Sequence, residues 1–248
     1  MGDFDYGTLG DEYIQRRRAD PRIAAYVKNA LGSAQTVLNV GAGTGSYEPE
    51  DRYVIAVEPS SSMRSRRPGY LPRAIAGWAE QLPLDDQSVD AAMAIATIHQ
   101  WSDLSKGLNE LRRVTRGPIV VVTFDGEALL RFWLADYVPG LIAHESLRCP
   151  RIELISGALG AETKVSTIPI PLDCADGFME AYYARPEAFL NASVRRAQSA
   201  WAFAEQGVEE RFAEDLARDL SSGEWDRRYG HLRMQACFQG SLTLIVRA

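Results

Sequence analysis

The stretch VLNVGAGTGSYEPEDRYVIAVEP, residues 37–59, decides how this chain folds. An apolar run ends in a glycine-rich turn, and a second apolar run follows and ends at Glu58. Short apolar runs bounded by turn residues are typical of buried strands. In an open parallel sheet, a glycine turn directly after the first strand usually contacts a nucleotide. The stretch therefore predicts a nucleotide-binding α/β fold, and the question is which nucleotide it holds.

Short apolar segments recur along the chain and alternate with helix-like segments. The predicted strands are residues 36–40, 53–57, 73–76, 89–97, 119–124, 164–170 and 241–247. Strands that alternate with helices form parallel sheets covered on both faces. We therefore predict an α/β fold: a Rossmann-like, mostly parallel seven-stranded sheet with helices on both faces. Residues 175–220 are expected to be almost continuously helical, and we interpret them as part of an inserted helical lid.

The length and the 46% hydrophobic content suit one domain over residues 1–248. Within it we predict three parts. The cofactor-binding core is residues 33–125, the helical lid and substrate region is residues 126–160 and 171–236, and the strands that close the sheet are residues 163–170 and 241–247.

Composition and charge exclude several classes of protein. The formal net charge is −6 and neither half of the chain is basic, which disfavours nucleic acid as a partner. No apolar run approaches the roughly 20 residues of a membrane helix. The acidic N-terminal residues 1–13 contain no apolar signal core, so a cytoplasmic protein is predicted. Three widely separated cysteines and three histidines form no metal-ligand spacing, and no metal site is predicted.

The glycine turn departs from both common phosphate-binding patterns. Gly41, Gly43 and Gly45 are spaced G-x-G-x-G, whereas the dinucleotide fingerprint has its third glycine where Ser46 stands. No Lys-Ser or Lys-Thr pair follows, which excludes the P-loop. Residues 37–51 contain no lysine or arginine but three carboxylates, so a cationic nucleoside suits the turn better than a pyrophosphate. Glu58 ends the second strand, where an acid accepts ribose hydroxyls in related folds.

Three segments of the sequence together resemble a known family. The segments VLNVGAGTG, VIAVEPSSSM and AEQLPLDDQSVDAAMAIATIHQW, in this order, resemble class I S-adenosylmethionine-dependent methyltransferases. The resemblance covers roughly residues 6–124 and is strongest to the subgroup that includes the ubiquinone and menaquinone methyltransferases. Later segments such as FWLADYVPGL and EWDRRYGHLR resemble uncharacterised bacterial members. The resemblance implies S-adenosylmethionine as the cofactor.

The resemblance also implies roles for individual residues. The glycine turn lets the backbone approach the cofactor, Glu58 holds the ribose, and Met63 packs on the adenine. The implied cofactor-binding residues are Asn39, Gly41, Ala42, Gly43, Glu58, Pro59, Met63, Ala79, Glu80, Ala96 and Thr97. Two positions depart from the family pattern: Asn39 replaces an acid, and Trp78 stands where an acid is frequent.

His99 is the candidate catalytic residue. It follows a predicted strand, and a histidine of near-neutral pKa suits removal of a proton from an oxygen or nitrogen nucleophile. A packing role for the same histidine stays open. Trp101, Trp133 and Tyr182 are the candidate substrate-binding residues, because aromatic side chains suit an apolar acceptor pocket.

These features predict an S-adenosylmethionine-dependent methyltransferase that methylates an oxygen, nitrogen or carbon of a small molecule by direct displacement. The place where base amino-methyltransferases have an Asn/Asp-Pro-Pro-aromatic motif reads ATIHQW here. One alternative is a non-catalytic protein that binds the cofactor or its product, S-adenosylhomocysteine. Another is an RNA or protein methyltransferase that needs a partner. The sequence predicts neither the acceptor nor the oligomeric state.

Overall fold

The computed structural model describes residues 16–248, so the acidic N-terminus on which the location was predicted lies outside the described residues. A six-stranded sheet forms the centre. Its strands are β1 (Thr36–Val40), β2 (Tyr53–Val57), β3 (Ala91–Ile95), β4 (Ile119–Phe124), β5 (Thr163–Thr167) and β8 (Leu242–Arg247). Their order across the sheet is β2-β1-β3-β4-β8-β5. The first four strands in this order are parallel, and β8 runs antiparallel to both β4 and β5.

A short ribbon, nine α-helices and six 3₁₀ turns make up the rest of the secondary structure described in residues 16–248. The ribbon pairs β6 (Ile170–Pro171) with β7 (Cys237–Phe238). The helices are α1 (Pro21–Ala30), α2 (Ser61–Ser65), α3 (Leu104–Val114), α4 (Gly126–Leu129), α5 (Pro139–Arg148), α6 (Ile152–Leu159), α7 (Ala192–Arg196), α8 (Val208–Ser222) and α9 (Glu224–Tyr229).

The α/β class with a mostly parallel sheet is confirmed, but the strand count differs from the predicted seven. The predicted strand at residues 73–76 forms only one isolated parallel bridge, between Ile75 and Val57 of the edge strand β2. The Ile75 amide donates to the Ala56 carbonyl and the Glu58 amide donates to the Ile75 carbonyl. Two such hydrogen bonds tie the segment to the sheet without extending the ladder.

The sheet is covered on both faces. On one face, Ile23 and Val27 of α1 pack with Val37 of β1. On the other, Leu108 of α3 packs with Leu38. Successive residues of β1 thus face opposite layers, as the pleat requires. This explains why the central strands are apolar at nearly every position.

Two parts of the predicted lid need correction. Helix α6 belongs to the layer beneath the sheet, where Ile155 and Leu159 pack in the same cluster as α3, so residues 152–159 are not part of a lid. Residues 175–220 are not continuously helical, because α7 and α8 are their only α-helices and the rest forms 3₁₀ turns and loops. Several aromatic residues of this region are buried in one cluster with α1 and the sheet and belong to the core, among them Tyr183, Phe189, Trp201 and Phe212.

Two properties of residues 16–248 bear on function. None of their helices is both long and apolar enough to cross a bilayer. Cys149, Cys174 and Cys237 are free thiols, and burial raises the pKa of Cys149 to about 12. A thiol with that pKa stays protonated at neutral pH and is a poor nucleophile.

Candidate functional site

The glycine turn directly follows β1, at the point where the strand order reverses. Gly41 has φ +66° and Gly43 has φ +51°, in the left-handed region that favours glycine. A Cβ on Gly41 would lie 2.0 Å from the Thr97 hydroxyl oxygen, so the turn packs directly on the loop after β3. A Cβ on Gly43 would have no atom within 4 Å, which leaves open space for a ligand.

Glu58 links the glycine turn to the next helix. Its carboxylate accepts hydrogen bonds from the Gly43 amide at 2.8 Å and from the Ser60 amide, also at 2.8 Å. Ser60 caps α2, where its hydroxyl accepts from the Met63 amide. Glu58 is only 6% exposed. The carboxylate is therefore held in one orientation, and its remaining lone pairs can accept hydroxyl donors.

A buried polar triad lies under the same turn. The Asn39 amide nitrogen donates to Glu48 at 2.9 Å, and the Arg67 guanidinium donates to both Glu48 oxygens at 2.9 and 2.8 Å. The Glu48 and Arg67 side chains are 1% and 3% exposed. Arg67 also donates to the Gly43 carbonyl at 3.3 Å. The Asn39 amide nitrogen is thus bound to Glu48. The Asn39 amide oxygen therefore remains available as an acceptor for a ligand.

A cavity of about 830 Å³ lies beyond the carboxyl ends of β1 and β3. This size suits a nucleoside ligand with room to spare. The cavity is lined by all eleven predicted cofactor-binding residues: Asn39, Gly41, Ala42, Gly43, Glu58, Pro59, Met63, Ala79, Glu80, Ala96 and Thr97. Sequence motifs from four separate segments thus meet in one cavity, although their contact with a cofactor stays a prediction.

Two of these residues have features that the sequence does not show. Ala96 has φ +50°, a strained conformation for a residue with a Cβ, and such strain concentrates at functional sites. The Glu80 carboxylate accepts hydrogen bonds from the Ser102 amide and hydroxyl and from the Asp103 amide. Glu80 therefore also fixes the loop that leads into α3.

Other lining residues were missed by sequence reasoning. Arg17 donates to Asp176 at 2.8 Å, and the Tyr47 hydroxyl donates to the other Asp176 oxygen at 2.9 Å. Asp176 is 4% exposed, and burial raises the pKa of Tyr47. Asp176 is 129 residues from Tyr47 in sequence, and no local pattern indicates that they meet.

A second cavity of about 70 Å³ adjoins the first, and Arg17, Ala96, Phe124 and Phe178 line both. His99 lines this smaller cavity from the 3₁₀ turn Ile98–Gln100. His99 therefore lies beside the main cavity, and Ala96 lines the same small cavity as His99 and the main cavity as well.

The predicted substrate residues fall in different places. Trp101 lines the main cavity and packs so closely on α3 that a Cβ on Gly107 would lie 2.4 Å from its ring. The assignment of Trp133 and Tyr182 to the substrate pocket needs correction, because neither lines either cavity. Both are buried in the core, where the Trp133 indole donates to the Tyr183 carbonyl at 3.1 Å. Burial of their large apolar rings stabilises the fold.

Comparisons with known proteins agree with this geometry. The sequence profile described as "Methyltransferase domain" matches residues 38–118. Uncharacterised methyltransferases of Mycobacterium tuberculosis and Mycobacterium bovis are 38% identical over 90 residues, which is 34% of this chain and 37% of theirs. The match thus spans just over a third of the length of these curated relatives.

Two solved structures extend the likeness. The first, from Anabaena variabilis, is described as that of a methyltransferase from an antibiotic biosynthesis pathway. It is 33% identical, has a TM-score of 0.87, and the alignment covers 94% of this chain and 99% of that one. The second, from Thermotoga maritima, is described as a SAM-dependent methyltransferase with a suggested histamine N-methyltransferase activity. It is 25% identical with a TM-score of 0.50, over 62% of this chain and 77% of that one. The chain therefore belongs to the class I S-adenosylmethionine-dependent methyltransferases.

Proposed function

We propose that the protein transfers the methyl group of S-adenosylmethionine to an oxygen, nitrogen or carbon of a small-molecule acceptor by direct displacement. The observation that carries this proposal is the 830 Å³ cavity, which brings the glycine turn and Glu58 together with the end of β3. Its walls hold acceptors for the ribose and amino groups and open space at Gly43, so they fit this cofactor.

When bound, S-adenosylmethionine supplies an electrophilic methyl group on a positively charged sulfur. Glu58 accepts the ribose hydroxyls, and Asn39 presents its amide oxygen to the cofactor's amino group. Met63, Ala79 and Glu80 line the part of the cavity that we assign to the adenine. These residues hold the donor in place, and holding two reactants in line contributes about 7 to 11 kcal/mol to lowering a barrier.

The cavity walls support the proposal of a small-molecule acceptor. Phe124 and Phe178, whose ring centroids lie 5.6 Å apart, border the second cavity and form an apolar wall beside Ala96. Apolar walls with a few fixed polar groups are typical of small-molecule sites. The acidic composition also disfavours an RNA acceptor. We retain as finer predictions the ubiquinone and menaquinone methyltransferase subgroup and a cytoplasmic location.

A thermal-shift series with S-adenosylmethionine, S-adenosylhomocysteine, NAD and NADP tests the cofactor. A ligand at about 100 times its Kd adds about 2.7 kcal/mol, or roughly 5 to 10 °C for a chain of this size. We expect shifts with the two sulfur nucleosides alone. A shift with NAD or NADP alone would contradict the proposal.

Glu58→Ala tests the ribose assignment, with Glu50→Ala as the matched control because Glu50 is exposed in the same segment. We expect Glu58→Ala to lose most of the cofactor-induced shift and Glu50→Ala to keep it. The unliganded melting temperature is measured as well, since Glu58 also supports Gly43 and Ser60. An undiminished shift in Glu58→Ala would refute the assignment.

Turnover distinguishes the remaining functions. Transfer of labelled methyl to a member of a phenol and amine library supports the proposal. Cofactor binding without any transfer would favour a non-catalytic binding protein. Salt-dependent RNA binding would favour an RNA methyltransferase that needs a partner.

A further inference from the structure

Two kinds of polar side chain line the second cavity: oxygen acceptors, and groups that can donate, at Arg17, His99 and Ser199. Glu180 and Glu145 line it, as does Gln198, and all three contribute side-chain oxygens that accept hydrogen bonds. The cavity of about 70 Å³ has room for a group of roughly five non-hydrogen atoms. The second cavity can therefore hold only a small terminal group of a ligand that extends into it from the main cavity.

Gln198 carries an unsatisfied acceptor. Its side chain is buried, with the residue 6% exposed, and its amide nitrogen donates to the Val194 carbonyl at 3.2 Å. The amide oxygen accepts no hydrogen bond from any residue between 16 and 248. Buried polar atoms are almost always paired, so an unpaired one in a cavity wall indicates a missing donor.

The two carboxylates differ in their charge compensation. Glu145 forms an ion pair with Arg148 at 2.5 Å. Glu180 is 1% exposed and accepts from the amide and hydroxyl of Ser241, but it forms no ion pair with a lysine or arginine of the described chain. Burial raises the pKa of Glu180 to about 7. A carboxyl in that range can take up and release a proton at neutral pH.

The remaining polar side chains of the lining are Arg17, His99, Ser199 and Cys149. Arg17 is paired with Asp176, and Cys149 is a protonated thiol. Aromatic rings, here Phe124 and Phe178, attract a cation. An anionic or acceptor-only group would meet Glu180 and leave Gln198 unpaired, whereas an ammonium group would satisfy both.

We propose that the methyl acceptor is a small primary or secondary amine whose nitrogen enters the second cavity, where Glu180 and the Gln198 amide oxygen accept its N–H groups. This proposal rests on the methyltransferase function proposed above and names its acceptor class. Glu180 touches the reacting nitrogen and is in this sense a catalytic residue.

In the proposed reaction, proton transfer precedes methyl transfer. The ammonium donates one proton to the Glu180 carboxylate. The neutral nitrogen then attacks the methyl carbon, so that an N–C bond forms and the C–S bond breaks, with its electron pair left on sulfur. The methylated ammonium leaves, and the Glu180 carboxyl returns its proton to water.

Binding is tested first, because it does not depend on turnover. The probes are benzylamine, benzyl alcohol and benzoate, titrated by calorimetry into protein saturated with S-adenosylhomocysteine. We expect benzylamine to bind at least about ten-fold more tightly than the other two. Equal or tighter binding of benzyl alcohol or benzoate, or absence of benzylamine binding, would overturn the proposal.

Variants locate the site. Gln198→Leu removes the unpaired oxygen at nearly constant size and is expected to weaken benzylamine binding about ten-fold. Gln206→Leu is the matched control, because Gln206 is exposed in the same region. Glu180→Gln keeps an acceptor for Ser241 and is also expected to weaken binding about ten-fold. Unchanged benzylamine binding in both Gln198→Leu and Glu180→Gln would overturn the assignment of the cavity.

Turnover assays separate the amine proposal from the methyltransferase function on which it rests. The same three probes, with longer homologues, are incubated with labelled S-adenosylmethionine. Methylation confined to amines supports both proposals. Methylation of alcohols or carboxylates alone overturns the amine assignment and leaves the methyltransferase function intact. Failure of the protein to bind S-adenosylmethionine overturns both.

Discussion

Asn39→Asp is the most informative single substitution in the core. It introduces the acid that the family pattern has at this position, but in this chain the buried carboxylate of Glu48 already lies beside it. The Asn39 amide nitrogen lies 2.9 Å from a Glu48 carboxylate oxygen, and the Glu48 side chain is 1% exposed. The change replaces a donor with a second carboxylate. We therefore expect it to destabilise the protein although it conforms to the family.

The magnitude has two parts. Losing a hydrogen bond to a charged acceptor costs about 1.5 to 3 kcal/mol. Two unit charges about 4 Å apart repel by about 4 kcal/mol at an effective dielectric constant of 20, and Arg67 and protonation of the new carboxyl reduce this. We expect a net loss of about 3 kcal/mol at pH 8, or a decrease in melting temperature of roughly 6 to 12 °C.

The assay is thermal and urea unfolding at pH 5.5 and 8. The new carboxyl should have a pKa above its unfolded value, so the folded variant binds more protons and its stability falls as pH rises. The deficit is thus smaller at pH 5.5. Asn39→Asp is also made in a Glu48→Gln background, where the repulsion is absent. An equal deficit in both backgrounds, or none at pH 8, would refute the reasoning.

Three further predictions follow from other contacts. Gly41→Ala should abolish the cofactor-induced thermal shift and destabilise the protein by at least about 2 kcal/mol. The reason is that the new Cβ would lie 2.0 Å from the Thr97 hydroxyl oxygen, and a folded variant with normal binding would contradict this close contact. His99→Ala should keep the cofactor-induced shift and lower turnover by about 10²-fold or more, and unchanged turnover would assign the residue to packing. Asp20→Asn should destabilise the protein at pH 7, and by a smaller amount at pH 3, in urea unfolding. The Arg22 hydrogen bond lowers the Asp20 pKa, so this stabilisation is present above the unfolded value and is lost as pH falls; a deficit that does not change with pH would contradict it.

Much of the core could be predicted because its determinants are local. The residues of β1 and the turn at Gly41 and Gly43 are contiguous, and β2 with Glu58 follows 13 residues after β1 ends. Hydrophobic runs determine which segments become strands, and positive φ angles require glycine at the turn. The α/β class and the residues that line the main cavity at the end of β1 could be inferred from this order of motifs.

The acceptor side could not be predicted in the same way. Trp133 and Tyr182 look like pocket residues in sequence, yet both are buried in the core, while Asp176 and Gln198 carry no motif and line the cavities. Aromatic residues in helical segments have the same spacing whether they face a core or a ligand. Whether such a residue faces the core or a ligand depends on how distant segments pack.

The α/β class, the glycine turn and the place of Glu58 at the end of β2 could be inferred from the sequence, since each depends on a few neighbouring residues. The burial of Glu48 against Asn39 and Arg67 and the pairing of Arg17 with Asp176 depend on how the chain packs. The placing of Glu180 beside Gln198 depends on packing as well. These are contacts between segments far apart in sequence, and the burial that gives their charges meaning exists only after the chain has packed.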